Sequence, residues 1–201
     1  MENREKIIEG AAELFRIYGI KAVTMDTLSA HLGMSKRTIY EVFSDKDELL
    51  IGVLRSMAEK QKLLSRKVLA ESDNAIAAIF KLIEMSLAHI SEMSPAFIAD
   101  MKKFHFEVLI KKTEQCEMPD YRDSVEFIER GIKEKLFRKD INADIVNRCL
   151  DSLAKLTLNT ELYPLEKFIR RDVIRNVMIN YLKGIATPEG LELINKHEKK
   201  L

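Results

Sequence analysis

The chain has 201 residues, 46% of them apolar and 32% charged, with 33 Lys and Arg against 32 Asp and Glu. That balance excludes a disordered chain, and seven Gly and four Pro are too few for a many-turned β-sandwich or barrel. A net charge of +1 supplies no bulk attraction for nucleic acid, so any such function must rest on a local motif.

Hydrophobic spacing is helical nearly throughout. Ile7, Ile8, Ala11, Leu14, Phe15 and Tyr18 form one stripe, and Gly19 stands as its C-terminal stop. Thr24 is placed to cap a short helix carrying Leu28 and Leu32, which Gly33 ends. Ser35 caps the next, with Ile39, Val42 and Phe43; Ser44 or Asp45 caps a longer one through Leu49, Leu50, Val53, Leu54 and Met57. Ser72, Asp73 and Asn74 are cap candidates ahead of Ile76, Phe80, Ile83 and Leu87. Pro95 and Pro119 interrupt the pattern, which resumes through Val125, Ile128 and Ile132. Asn142 caps a helix expected over about 142–162, and Pro164 opens one expected over about 165–184. Thr187-Pro188 starts a short final helix. No strand-like alternation exceeds a few residues, so the expected fold class is all-α.

The N-terminus lacks the apolar segment of a secretory signal, and no apolar run reaches the roughly 18–20 residues that span a bilayer. The expected compartment is the cytoplasm, with no membrane partner. Cys116 and Cys149 do not make a disulfide framework.

The sequence carries no nucleophile elbow, phosphate-binding glycine loop or C-x-x-C. The E-x-x-H pairs of a di-iron bundle are missing too, and His31, His89, His105 and His197 lack ligand spacing. No enzyme activity, metal or cofactor is expected.

The sharp signal is Thr24–Phe43, TMDTLSAHLGMSKRTIYEVF. Two short helices meet at Gly33, as in a helix-turn-helix, and Leu28, Leu32, Met34, Ile39 and Val42 fall where they seal the pair onto a third helix. The outer side of the second helix then carries Ser35, Lys36, Arg37, Thr38, Tyr40 and Glu41, which can reach phosphates and base edges. The same pattern also describes a helical hairpin with a polar face, and a helical adaptor that binds protein without DNA remains the alternative.

Residues 5–55 resemble the N-terminal DNA-binding domain of the TetR family of transcriptional regulators. The resemblance is carried by Tyr18-Gly19, Thr24, Leu28, Leu32, Gly33-Met34-Ser35-Lys36, Ile39-Tyr40-x-x-Phe43 and Lys46. Residues 56–201 are similar in length and helix count to that family's ligand-binding and dimerisation domain. The resemblance implies a three-helix helix-turn-helix domain over 1–47 and a larger helical ligand-binding and dimerisation domain over 48–201. It implies double-stranded DNA, a second copy and an unidentified small-molecule effector as partners.

By the same resemblance Thr24 would hold a phosphate, Lys36, Arg37 and Thr38 would face the major groove, and Tyr40 and Lys46 would contact the DNA backbone. Positions 41 and 42 depart from the family pattern, being Glu41 and Val42. Arg37 and Glu41 can pair one helical turn apart. Residues 1–47 carry seven Lys and Arg against eight Asp and Glu, so this domain is not basic. Phe80, Met85, His89, Met101, Phe104, His105 and Phe127 are the candidate effector-pocket residues. The dimer is expected from the last two long helices, because Phe168, Ile169, Val173, Ile174, Val177, Met178, Tyr181 and Leu182 spread wider than one core-facing stripe.

Overall fold

Side-chain caps open most of the helices among the described residues. The computed structural model describes residues 2–91, 94, 96–100 and 124–201. Helix α1 spans Glu2–Tyr18 and α2 spans Met25–Leu32. The short α3 is Lys36–Tyr40, followed by α4, Lys46–Glu71, and α5, Ala75–Ser91. Beyond the helical residues 96–100 come α6, Val125–Lys133, and α7, Ala143–Thr157. Helix α8 runs as Arg170–Ile174, a π-helical turn Arg175–Ile179, and Asn180–Ile185. Helix α9 is Pro188–Glu198. The described residues are all-α apart from one isolated antiparallel bridge, Phe137 to Ala186.

The chain divides into two compact units, Met1–Gln61 with His89–Pro119 and Lys62–Ala88 with Asp120–Leu201. In the first, Ile7, Ile8, Ala11, Leu14 and Phe15 of α1 share a core with Leu28, Ile39, Phe43, Leu49, Leu50, Val53, Leu54 and Phe97. Burial of each such side chain contributes about 1.5–3 kcal/mol, enough to hold the five-residue α3 that propensity alone would not. Tyr18 leaves the stripe: it is 59% exposed, because α1 ends there and Gly19, at φ 85°, turns the chain away.

In the second unit, Ile76, Phe80 and Ile83 of α5 pack with Ile128, Leu136, Phe137, Val146, Ile179, Leu182 and Ile194. Arg130 joins three elements. Its guanidinium donates to the carbonyls of Leu69 and Ser72 and, from Nε at 2.6 Å, to Glu134 Oε1. Glu134 Oε2 in turn accepts the N–H of Ala75 at 2.8 Å. One ion pair thereby supplies donors to the end of α4 and an acceptor to the start of α5, whose groups lack helical partners.

The two long helices near the C-terminus are shorter than their apolar pattern predicts. Helix α7 stops at Thr157 because Asn159 Oδ1 accepts the N–H groups of Glu161 and Leu162, at 2.9 and 3.1 Å, closing a turn that competes with helix. Residues 164–169 are not helical, and α8 begins only at Arg170, whose guanidinium caps the carbonyl of Thr157. Val173, Ile174 and Leu182 are buried within the chain. The exposed apolar side chains fall earlier, at Ile145, Leu156, Leu158, Leu162, Leu165, Phe168 and Ile169, the last 70% exposed.

Candidate nucleic-acid interface

The loop before α2 is closed by reciprocal caps. Thr27 N–H donates to Thr24 Oγ1 at 3.1 Å, and Thr24 N–H donates to Thr27 Oγ1 at 2.8 Å. The Thr27 hydroxyl donates to the Thr24 carbonyl at 2.8 Å. The proton on Thr24 Oγ1 is then available either to Thr27 Oγ1, 3.3 Å away, or to an outside oxygen.

Gly33 makes the turn at φ 62°, a left-handed conformation cheap only for glycine, and its N–H closes back on Ala30 O. The N–H of Met34 bonds to Ser29 O at 3.1 Å, so the turn saturates the end of α2. Ser35 caps α3 through its Oγ, which accepts Thr38 N–H at 3.1 Å and lies 2.8 Å from the Thr38 hydroxyl. Buried Ile39 fixes the inner side of α3. Ser35, Lys36, Arg37, Tyr40 and Glu41 are exposed, and Thr38 is half-buried.

Both cations of α3 meet carboxylates. Arg37 Nε donates to Glu41 Oε1 at 3.1 Å, the one-turn pair foreseen from spacing. Lys36 Nζ lies 2.9 and 3.0 Å from the two oxygens of Asp26 on α2. That hydrogen bond raises the Lys36 pKa above the ordinary lysine value. Asp26 was missed in the sequence, since ten residues and a turn separate it from Lys36.

Lys46, expected on the DNA backbone, makes hydrogen bonds within its own chain. Its ammonium donates to the carbonyls of Val23 and, at 3.4 Å, Lys21, just ahead of the Thr24 cap. Burial lowers its pKa, against the pull of Asp100 and Asp47.

The described candidate pocket residues fall in two clusters and at one exposed position. Met85 packs with Phe127 in a small cluster around Val68 and Ala78. Phe80 belongs to the larger core and stacks on His197, ring centroids 5.3 Å apart. His89 is exposed. Met101, Phe104 and His105 lie outside the described residues.

Two short helices joined by a saturated glycine turn, sealed on a third and presenting a polar outer face, define a helix-turn-helix DNA-binding domain. Residues 7–53 match the model of the bacterial regulatory proteins of the tetR family. Over those residues the chain carries a tetR-type helix-turn-helix domain, and it resembles the DNA-binding transcriptional regulators of that family.

The HTH-type transcriptional regulator YvaF of Bacillus subtilis (strain 168), itself uncharacterized, is 29% identical over 99 residues, 48% of this chain and 52% of its own length. The chain thus spans about half the length of that relative. The HTH-type transcriptional repressor KstR2 of Mycolicibacterium smegmatis is 25% identical over 154 residues, 72% of each protein. A transcriptional regulator from Saccharomonospora viridis, solved with choline, shares the fold at a TM-score of 0.69 and 21% identity, covering 92% of this chain and 98% of that one. Among the described residues no helix is long and apolar enough to cross a membrane.

Proposed function

We propose that the protein is a homodimeric repressor that binds a pseudo-palindromic operator and releases it when a small effector binds. Residues 1–47 carry DNA recognition, and residues 48–201 carry the effector pocket and the dimer contact. The observation that carries the reading is the outer face of α3, where Lys36, Arg37, Tyr40 and Glu41 are exposed beside the Ser35–Thr38 cap while Ile39 anchors the helix. Thr24 offers a hydroxyl proton and a helix N-terminus to a phosphate. Lys36, Arg37, Thr38 and Glu41 address the groove, and Tyr40 a phosphate.

The dimer face comprises the exposed apolar side chains between Ile145 and Ile169, which a monomer would leave in water. The repressor named among the relatives and the choline-bound neighbour support negative control and an effector site.

Two α3 helices should bridge half-sites about one DNA turn, roughly 34 Å, apart. The test is fluorescence anisotropy of the full-length protein with DNA from upstream of its own gene and with random duplex, over a salt series. Tight binding to one fragment, falling steeply with salt, is expected. Equal, weak binding to every duplex would overturn the operator reading and favour a protein-binding adaptor.

A further inference from the structure

We propose that Asp26 is a specificity-determining residue, which holds Lys36 in a fixed ion pair and so keeps that ammonium from trading freely among DNA phosphates. The inference rests on the reading of α3 as the DNA-facing helix. Lys36 Nζ is 2.9 Å from Asp26 Oδ1 and 3.0 Å from Oδ2, and the pair crosses from α3 to α2 over the Gly33 turn. Arg37 is paired as well, with Glu41 at 3.1 Å. The helix that meets DNA therefore presents two ion pairs, in a 47-residue segment with seven cations and eight carboxylates.

Nonspecific affinity comes almost wholly from cations that neutralise phosphates and release counterions. An ammonium already facing a carboxylate gains little by exchanging it for a phosphate. It has three donors, however, and Asp26 leaves at least one of them free. A base edge with acceptors, such as guanine O6 and N7, can take that donor while the Asp26 contact stays in place. The pair thus suppresses binding to arbitrary sequence and retains binding at the matched base. This needs no contribution to folding; an exposed pair of this kind stabilises a protein by only about 0–1 kcal/mol.

The experiment titrates full-length protein with a random-sequence 30-bp duplex at several salt concentrations. It compares wild type, Asp26→Asn, Lys36→Gln and the double variant, with Asp26→Ser as a second neutral replacement should Asn disturb the first turn of α2. Thermal melts confirm that each is folded. We expect Asp26→Asn or Asp26→Ser to bind random duplex roughly 3–10-fold more tightly at 100 mM salt, with a salt slope steeper by about one per subunit. In the Lys36→Gln background the same change should have no effect.

An affinity within twofold of wild type overturns the proposal. So does an equal gain without Lys36, which would make Asp26 a mere source of negative field. Failure of the wild type to bind any duplex at 50 mM salt, upstream DNA included, would instead refute the DNA-facing reading of α3, and the proposal with it.

Discussion

Asp100 and Lys46 hold the backbone of one residue from its two sides: Asp100 Oδ2 accepts the N–H of Lys21 at 2.8 Å, and Lys46 Nζ donates to the Lys21 carbonyl at 3.4 Å. Lys46 also bonds the carbonyl of Val23, one residue before the Thr24 cap. The short turn into α2 is therefore positioned by a carboxylate and an ammonium distant in sequence, and the Thr24 hydroxyl inherits its place from them.

Lys46→Met should weaken binding to operator and random duplex by about the same factor, roughly tenfold, since the cap position serves every sequence. It should also lower stability by about 1.5–3 kcal/mol, the usual worth of hydrogen bonds to a charged group. Duplex titrations paired with urea unfolding test both. Weaker binding without a stability change would point to direct phosphate contact and against the positioning role.

Glu41→Ala should strengthen random-duplex binding while narrowing the gap to the operator. With its carboxylate gone, Arg37 is no longer oriented by the 3.1 Å pair and repulsion of phosphates falls. An oriented contact to a base is worth roughly 1–3 kcal/mol of discrimination. An operator-to-random ratio equal to that of wild type would make Glu41 a solvated residue outside the groove.

Ile169→Asp should convert a dimer to monomer in sedimentation at micromolar concentration. Ile169 is the most exposed of the apolar side chains from Ile145 onward and would occur twice in the proposed isologous contact. Losing its burial on both sides removes roughly 3–6 kcal/mol. A variant that still sediments as a dimer would place the contact elsewhere on the chain.

The docking of α9 should loosen in mild acid. His197 stacks on Phe80, and burial lowers its pKa below the ordinary histidine value; Lys200 and Lys196 add to that, while Glu84 and Asp73 oppose it. The folded chain prefers the neutral ring, so on acidification the unfolded chain takes up the proton first. The associated stability is complete above about pH 6.5 and is lost as pH falls through the lowered folded value. Melting at pH 7.5 and 5.0 should show a larger drop for wild type than for His197→Gln. Equal drops would assign the acid sensitivity to other groups.

Local chemistry made much of the fold readable before any coordinates. Thr24, Gly33, Ser35, Asn142 and Thr187 each act within three or four residues of themselves, and each terminates or starts the helix its neighbours imply. Asp26 with Lys36, and Lys46 with the Val23 carbonyl, were not readable, because spacing along one helix says nothing of a partner across a turn. Near the C-terminus the difficulty was different. Asn159 and Pro164 sit inside a stretch whose apolar content suits a helix, and the local Asn159 turn prevailed over it.

The π-helical turn at Arg175–Ile179 makes α8 sensitive to length rather than to composition. Such a turn accommodates one residue more than regular α-helix would, and one residue corresponds to about 100° of rotation. Deleting a single residue there would let α8 relax to ordinary α-helix. It would swing the Arg170–Ile174 segment about a quarter turn, carrying the Arg170 guanidinium away from the Thr157 carbonyl and Ile174 out of the core. In this stretch of chain, a conservative substitution is a smaller change than a deletion that alters no side chain's chemistry.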